Sequence, residues 1–345
     1  MSSPICLPFR PVAAAALALS LALPLVAAAQ TVDSEAGVSF KGTRRVAISQ
    51  FGIEFYTQLL ALGRSGGNTV RQQSTLTGVS QATRQALVDK MYAVTVALLK
   101  DAGFEVVPQE KLAADPMYQQ LVSSYGKLSQ YVVHDSQGLG DGEHLSTVVA
   151  PTGMAAFYAS AGSSGGYIRA NMSDRLDAQN YGIGTREAEI GKHLDATLVK
   201  FSFLASYGTT QASKNGLIAN IANIAARASL ETSPNLMAYE TQVQFVTPAG
   251  PRMFGNVKRA GQSGAFYLKQ PLMGVNIFAT ADSTSDDTKK SDNVINGMFS
   301  LFGGKNAVKT QMVEVTTTDA QYEQAFAALV TTASAALVKS LEANR

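Results

Sequence analysis

SQATRQALVDKMYAVTVALLKDAGFEVVPQEKL, residues 80–112, reads as a helix, a glycine stop, a buried strand and the start of another helix. Leu87, Val88, Met91, Val94, Leu98 and Leu99 recur at three- and four-residue steps, which places them in one stripe on an α-helix. Ser80 is placed to cap its first turn. Asp101-Ala102-Gly103 ends it, because glycine takes the left-handed conformation beyond a helix without a Cβ clash. Phe104 to Val107 is then a short strand closed by Pro108. The fold class that follows is α/β (α+β), a mixed β-sheet packed against helices.

Upstream, Arg44 to Phe55 reads as a strand. Val46 and Ile48 alternate, as do Phe51, Ile53 and Phe55, but in the opposite phase. The phase change at Ser49-Gln50 predicts a bulge or bend. Gly63 to Gly78 is a polar loop or a weak exposed strand. Downstream, Leu112, Met117, Leu121 and Leu128 continue a helical pattern, with Asp115-Pro116 as a helix start. Tyr131 to His134 reads as a short strand. From 135 to 177 the composition turns to glycine and serine, which predicts an insertion or an extended loop with short strands, serving function or an interface.

Regularity returns with a short helix over Arg186–Leu194 and a strand over Asp195–Leu204. A helical pattern covers Lys214–Leu230. Tyr239 to Val246 alternates as the clearest strand. Thr247-Pro248-Ala249-Gly250 then makes a type I turn, and Arg252–Arg259 is the expected hairpin partner. An extended region over 261–302 holds irregular strands, a charged loop from Asp282 to Asp292, and the apolar run Val294–Phe302. Lys309 to Thr316 is a last strand. The closing helix has a Thr318/Gln321 capping box and a stripe of Tyr322, Phe326, Leu329, Val330, Ala333, Leu337 and Leu341.

The amino terminus carries an export signature. Arg10 supplies a positive flank, Val12–Val26 an apolar stretch, and Ala27-Ala28-Ala29 a cleavage pattern, so the expectation is a signal peptide over 1–29 cleaved after Ala29. Residues 30–345 then form a single α/β domain. The one cysteine, Cys6, lies in the removed segment, which excludes a disulfide or a cysteine nucleophile from the exported chain. It also leaves no lipid-acceptor cysteine at the cleavage point. Removing Arg10 lowers the formal net charge from +2 to +1, and a near-neutral chain without a basic stripe argues against nucleic acid as a partner.

Val46-Ala47-Ile48, Gly103–Val107, Leu194–Val199 and Thr247–Gly250, in this order, resemble the CsgG-like curli-secretion proteins and the TolB amino-terminal-like domains of bacterial envelope proteins. The resemblance spans about half of the chain. It implies a sandwich core of that kind, an envelope location in the periplasm or outer membrane, and work in secretion or assembly. It carries no catalytic residues. The chain departs from the pattern in lacking a lipobox cysteine. A membrane-crossing hairpin of that family would fall at 150–171 or 260–281, and neither stretch alternates cleanly.

Four other features carry candidate chemistry. Gly162-Ser163-Ser164-Gly165-Gly166 matches G-x-S-x-G, yet it sits in a Gly/Ser run rather than between a strand and a helix, so it reads as a turn. His134, Asp135, Asp141, Glu143 and His144 cluster without the spacing of a metal loop and read as a solvated turn. His193, at a helix end, is placed to cap carbonyls. Val294, Ile295, Met298, Phe299, Leu301 and Phe302 read first as core and otherwise as a docking patch, the candidate interface of the chain. No catalytic, metal or cofactor site is expected. The expected function is non-enzymatic: an exported envelope protein that assembles or secretes an extracellular structure through homo-oligomerisation or a protein partner. The rivals are a secreted serine hydrolase using Ser164 and a periplasmic solute-binding protein.

Overall fold

The stripe of residues 80–112 forms helix α1 (Gln81–Asp101) with Ser80 at its N-cap, its hydroxyl accepting from the Thr83 amide. Gly103 takes a φ of +80°, and the Gly103 amide donates to Lys100 O while Phe104 donates to Leu99 O. That bonding is a Schellman ending, with Phe104 packed back on the helix it closes. The computed structural model describes residues 31–34, 40–65, 68–126, 129–136, 143–155, 178–212, 228–250, 263–301 and 308–345.

Among these residues the chain forms one mixed sheet of thirteen strands and six helices. The strands are β1 (Val32–Ser34), β2 (Arg45–Ser65), β3 (Asn68–Thr77), β4 (Glu105–Val106), β5 (Tyr131–Ser136), β6 (Glu143–Val149), β7 (Thr197–Ala212), β8 (Ala228–Leu236), β9 (Gln242–Val246), β10 (Ser263–Leu268), β11 (Leu272–Met273), β12 (Ala279–Asp282) and β13 (Val308–Thr316). The other helices are α2 (Gln109–Ala113), α3 (Pro116–Tyr125), α4 (Ala178–Leu194), α5 (Asp286–Leu301) and α6 (Asp319–Ala343). The main path runs β1-β10-β9-β7-β2-β3-β13-β12. Strand β2 is its spine, parallel to β7 and β4 and antiparallel to β3 and β6.

One face of the sheet is aromatic and apolar. Phe51, Ile53, Phe55, Phe201, Phe203, Val243, Phe245 and Phe266 are buried there in the same cluster as the inner stripes of α1 and α6. The two helices run parallel. Asp319, in the first turn of α6, accepts from the Ser80 amide at the start of α1. Midway, Thr95 donates to the Ser334 hydroxyl, both fully buried, and at the far end Arg345 donates to Ala102 O and Gly103 O. By length and composition alone α6 could cross a membrane, but its large apolar residues pack on this face. The opposite face carries α2, α3 and α4 over a smaller cluster of Ala47, Leu112, Tyr118, Leu121, Ile190 and Leu198.

The hydrogen bonds that Asp319 receives from Ser80 and Thr83 hold its carboxyl below the usual range. A group lowered in the folded chain contributes stability above its unfolded pKa of about 4, and that contribution is lost as pH falls through the lower folded value. Melting curves of Asp319→Asn and wild type should therefore differ by a constant amount at neutral pH and converge in acid. A gap that persists in strong acid would refute the linkage.

Several expectations are corrected. Of the two readings of the polar stretch before Gly78 the strand holds, as β3, but it is mostly half-buried rather than exposed, because β2 on one side and β13 on the other satisfy its backbone. Part of the stretch from 135 to 177 is regular sheet. Glu143–Val149 is β6, paired with β2, and Val149 is fully buried. The helices at 109–128 are two, α2 and α3, split at Asp115. Helix α4 and strand β7 are each longer than the pattern suggested. Of the helix expected over Lys214–Leu230, residues 228–230 are strand β8, and 213–227 lie outside the described residues. The antiparallel neighbour of β9 after the turn is β10, with Ser263 opposite Val246. The expected partner, Arg252–Arg259, lies outside the described residues. The charged loop becomes a helix at Asp286, because Ser285 caps it through the Thr288 amide and Asp286 and Asp287 sit in its first turn.

Candidate functional site

The bulge expected at Ser49-Gln50 is present: the β2–β7 register shifts between Ile48 and Gln50. It brings Ser49 under α4, where its hydroxyl donates to Glu187 Oε1 at 3.0 Å. Lys200, level with Gln50 on the neighbouring strand, donates to Glu187 Oε2 at 2.8 Å. Glu187 is fully buried and Lys200 nearly so. Tyr118 of α3 donates to Ser49 O, and burial, with the Glu187 charge beside it, pushes its phenol well above the ordinary tyrosine range. A second link lies alongside. Asp115 caps the Met117 and Tyr118 amides with one oxygen and meets His193 Nδ1 of α4 with the other. His193 therefore binds a carboxylate rather than the carbonyls expected for it. Structurally these groups fasten α3 and α4 to the sheet.

The second candidate is the far edge of the sheet. Strand β12 pairs with Val313–Thr316 of β13 and ends at Asp282, and among the described residues no strand flanks 308–312 on that side. Side chains take its place. Asn296 of α5 accepts from the Val308 amide at 2.6 Å and donates to Val308 O at 3.0 Å. Asp292 accepts from the Thr310 amide at 2.6 Å and from its hydroxyl at 3.1 Å. The Thr284 hydroxyl accepts from the Met312 amide at 2.9 Å, and the Ser283 amide donates to Met312 O. The amides of residues 308, 310 and 312, which point outward from the strand, are thus each met by a side-chain oxygen. While α5 stays in place, an edge covered in this way does not template a further strand.

No protein family matches the chain, and no curated protein does. Among solved structures, that of the Evf virulence factor is similar at 6% identity, covering 74% of this chain and 91% of that one, with a TM-score of 0.15. A TM-score that low carries no argument about this chain.

The apolar run read as a candidate interface falls on α5. Val294 is 61% exposed, so it is not core, and Ile295 is half-buried. Met298, Phe299 and Leu301 share the helix, but their side chains, like Phe302 as a whole, lie outside the described residues. Ser164 does too. Of the expected acidic turn, His134 and Asp135 lie on β5, and Glu143 and His144 on the antiparallel β6. His144 Nδ1 accepts from the Leu60 amide, and no cluster of three metal-ligating side chains occurs among the described residues. The Lys200–Glu187 pair was missed by sequence reasoning. Its one signal was the single lysine inside the apolar run Leu198-Val199-Lys200-Phe201.

Proposed function

We propose that the protein is a non-enzymatic exported envelope protein that assembles or helps secrete an extracellular structure, in the manner of the CsgG-like and TolB amino-terminal-like proteins it resembles, by associating with copies of itself. The observation that carries this reading is the guarded sheet edge, where a helix with Val294 turned to solvent lies over the open flank of β13. Light scattering on the chain from Gln30 onward should give an assembly rather than a monomer. Val294→Asp should lower that mass while leaving the circular dichroism and melting temperature unchanged, because the site is exposed. A strict monomer at working concentrations would sink the reading, and a Val294→Asp chain that unfolds would return the residue to the core.

A further inference from the structure

We infer that the β13 edge pairs with β13 of a second copy of this chain, and that α5 is the removable guard of that edge. The inference rests on the assembly reading above and names its contact. Residues 308, 310 and 312 present their amides on the side away from β3. An antiparallel pairing about a two-fold axis at Thr310 would set Val308 opposite Met312, Lys309 opposite Gln311 and Thr310 opposite itself. Apolar then meets apolar and no like charges face each other, whereas a parallel pairing would stack Lys309 on Lys309. The three outward residues all become hydrogen-bonded pairs in this register, because a strand residue turns its N–H and C=O to the same side. β12 stops opposite Val313, and Ser283 and Thr284, which follow it onto Met312, must move aside with α5 to open the full length.

Removal of the guard is a near-even exchange. The amides of Val308, Thr310 and Met312 and the carbonyls of Val308 and Met312 are held by Asn296, Asp292, Thr284 and Ser283, and a second β13 would hold the same groups with its backbone. Helix α5 has little strength of its own. Its sequence, DDTKKSDNVINGMFSL, is rich in Asp, Ser, Asn and Thr and includes Gly297, all weak helix formers. Among the described residues its side-chain hydrogen bonds to the edge come from Asp292 and Asn296, one helical turn apart.

The test uses two single-cysteine chains, Lys309→Cys and Gln311→Cys, each also carrying Cys6→Ser, mixed with oxidised glutathione. Residues 309 and 311 face each other across the axis, so the mixture should form covalent dimer at least tenfold faster than either chain alone. Adding Asp292→Ala and Asn296→Ala should raise the rate about tenfold again. Equal rates in the mixture and the separate chains, or no gain from removing the guard, overturn the inference. Should the guard variants fail to fold, the mixture with α5 intact still decides. Wild-type mass by light scattering is read separately: an assembled wild type without register-specific cross-links overturns β13 pairing and keeps the assembly reading. A monomeric wild type whose unguarded form cross-links in register overturns that reading and keeps the pairing.

Discussion

Lys200→Ala is expected to destabilise the chain by about 3–5 kcal/mol, because it leaves the Glu187 carboxylate fully buried without this counter-ion. The melting temperature should fall on the order of 10 °C. The pair is not thereby a net source of stability. Desolvating both charges costs several kcal/mol, and a well-packed apolar replacement often does as well. Lys200→Met with Glu187→Leu should therefore recover most of the loss, although the Ser49 hydroxyl then loses its Glu187 acceptor. Denaturant melts of the two single variants and the double variant form the cycle that tests this. A Lys200→Ala chain as stable as wild type would show that water reaches Glu187.

Phe326→Ala is expected to cost about 3–5 kcal/mol, the range for deleting a fully buried phenylalanine. Its ring lies 4.5 Å from that of Tyr322 and edge-on to Phe55 at 6.3 Å, so truncation opens a cavity between α6 and the spine strand. Val294→Ala is the control. On an exposed helix position it should change stability by no more than about 0.5 kcal/mol. Equal effects of the two would mean that α6 does not rest on the sheet as described.

Local patterning made the helical layer legible. The stripes of α1 and α6, the Ser80 and Thr318 caps, the Gly103 stop and the Asp115-Pro116 start are all short-range signals, set by the helical period and by orphaned amides of a first turn. Even the bulge at Ser49-Gln50 was visible, as a break in alternation. The partners of strands were not. The partner of β9 was placed too early in the chain, and β6, in the stretch read as an insertion, lies between β5 and β2. A strand's alternation reports which face is buried, but not which distant segment supplies its hydrogen bonds.

The site divides in the same way. Sequence alone marked Val294 and Ile295 as an unusual apolar run and left open whether they were core. Only the tertiary structure turned Val294 to solvent, laid Asp292 and Asn296 along β13, and joined Lys200 to Glu187 across the sheet. Helix, cap and turn are decided by residues a few positions apart, so residues 80–112 fixed the α/β class by themselves. Burial, edge coverage and ion pairing depend on which far segments meet, and that is settled by the sheet that β2 organises.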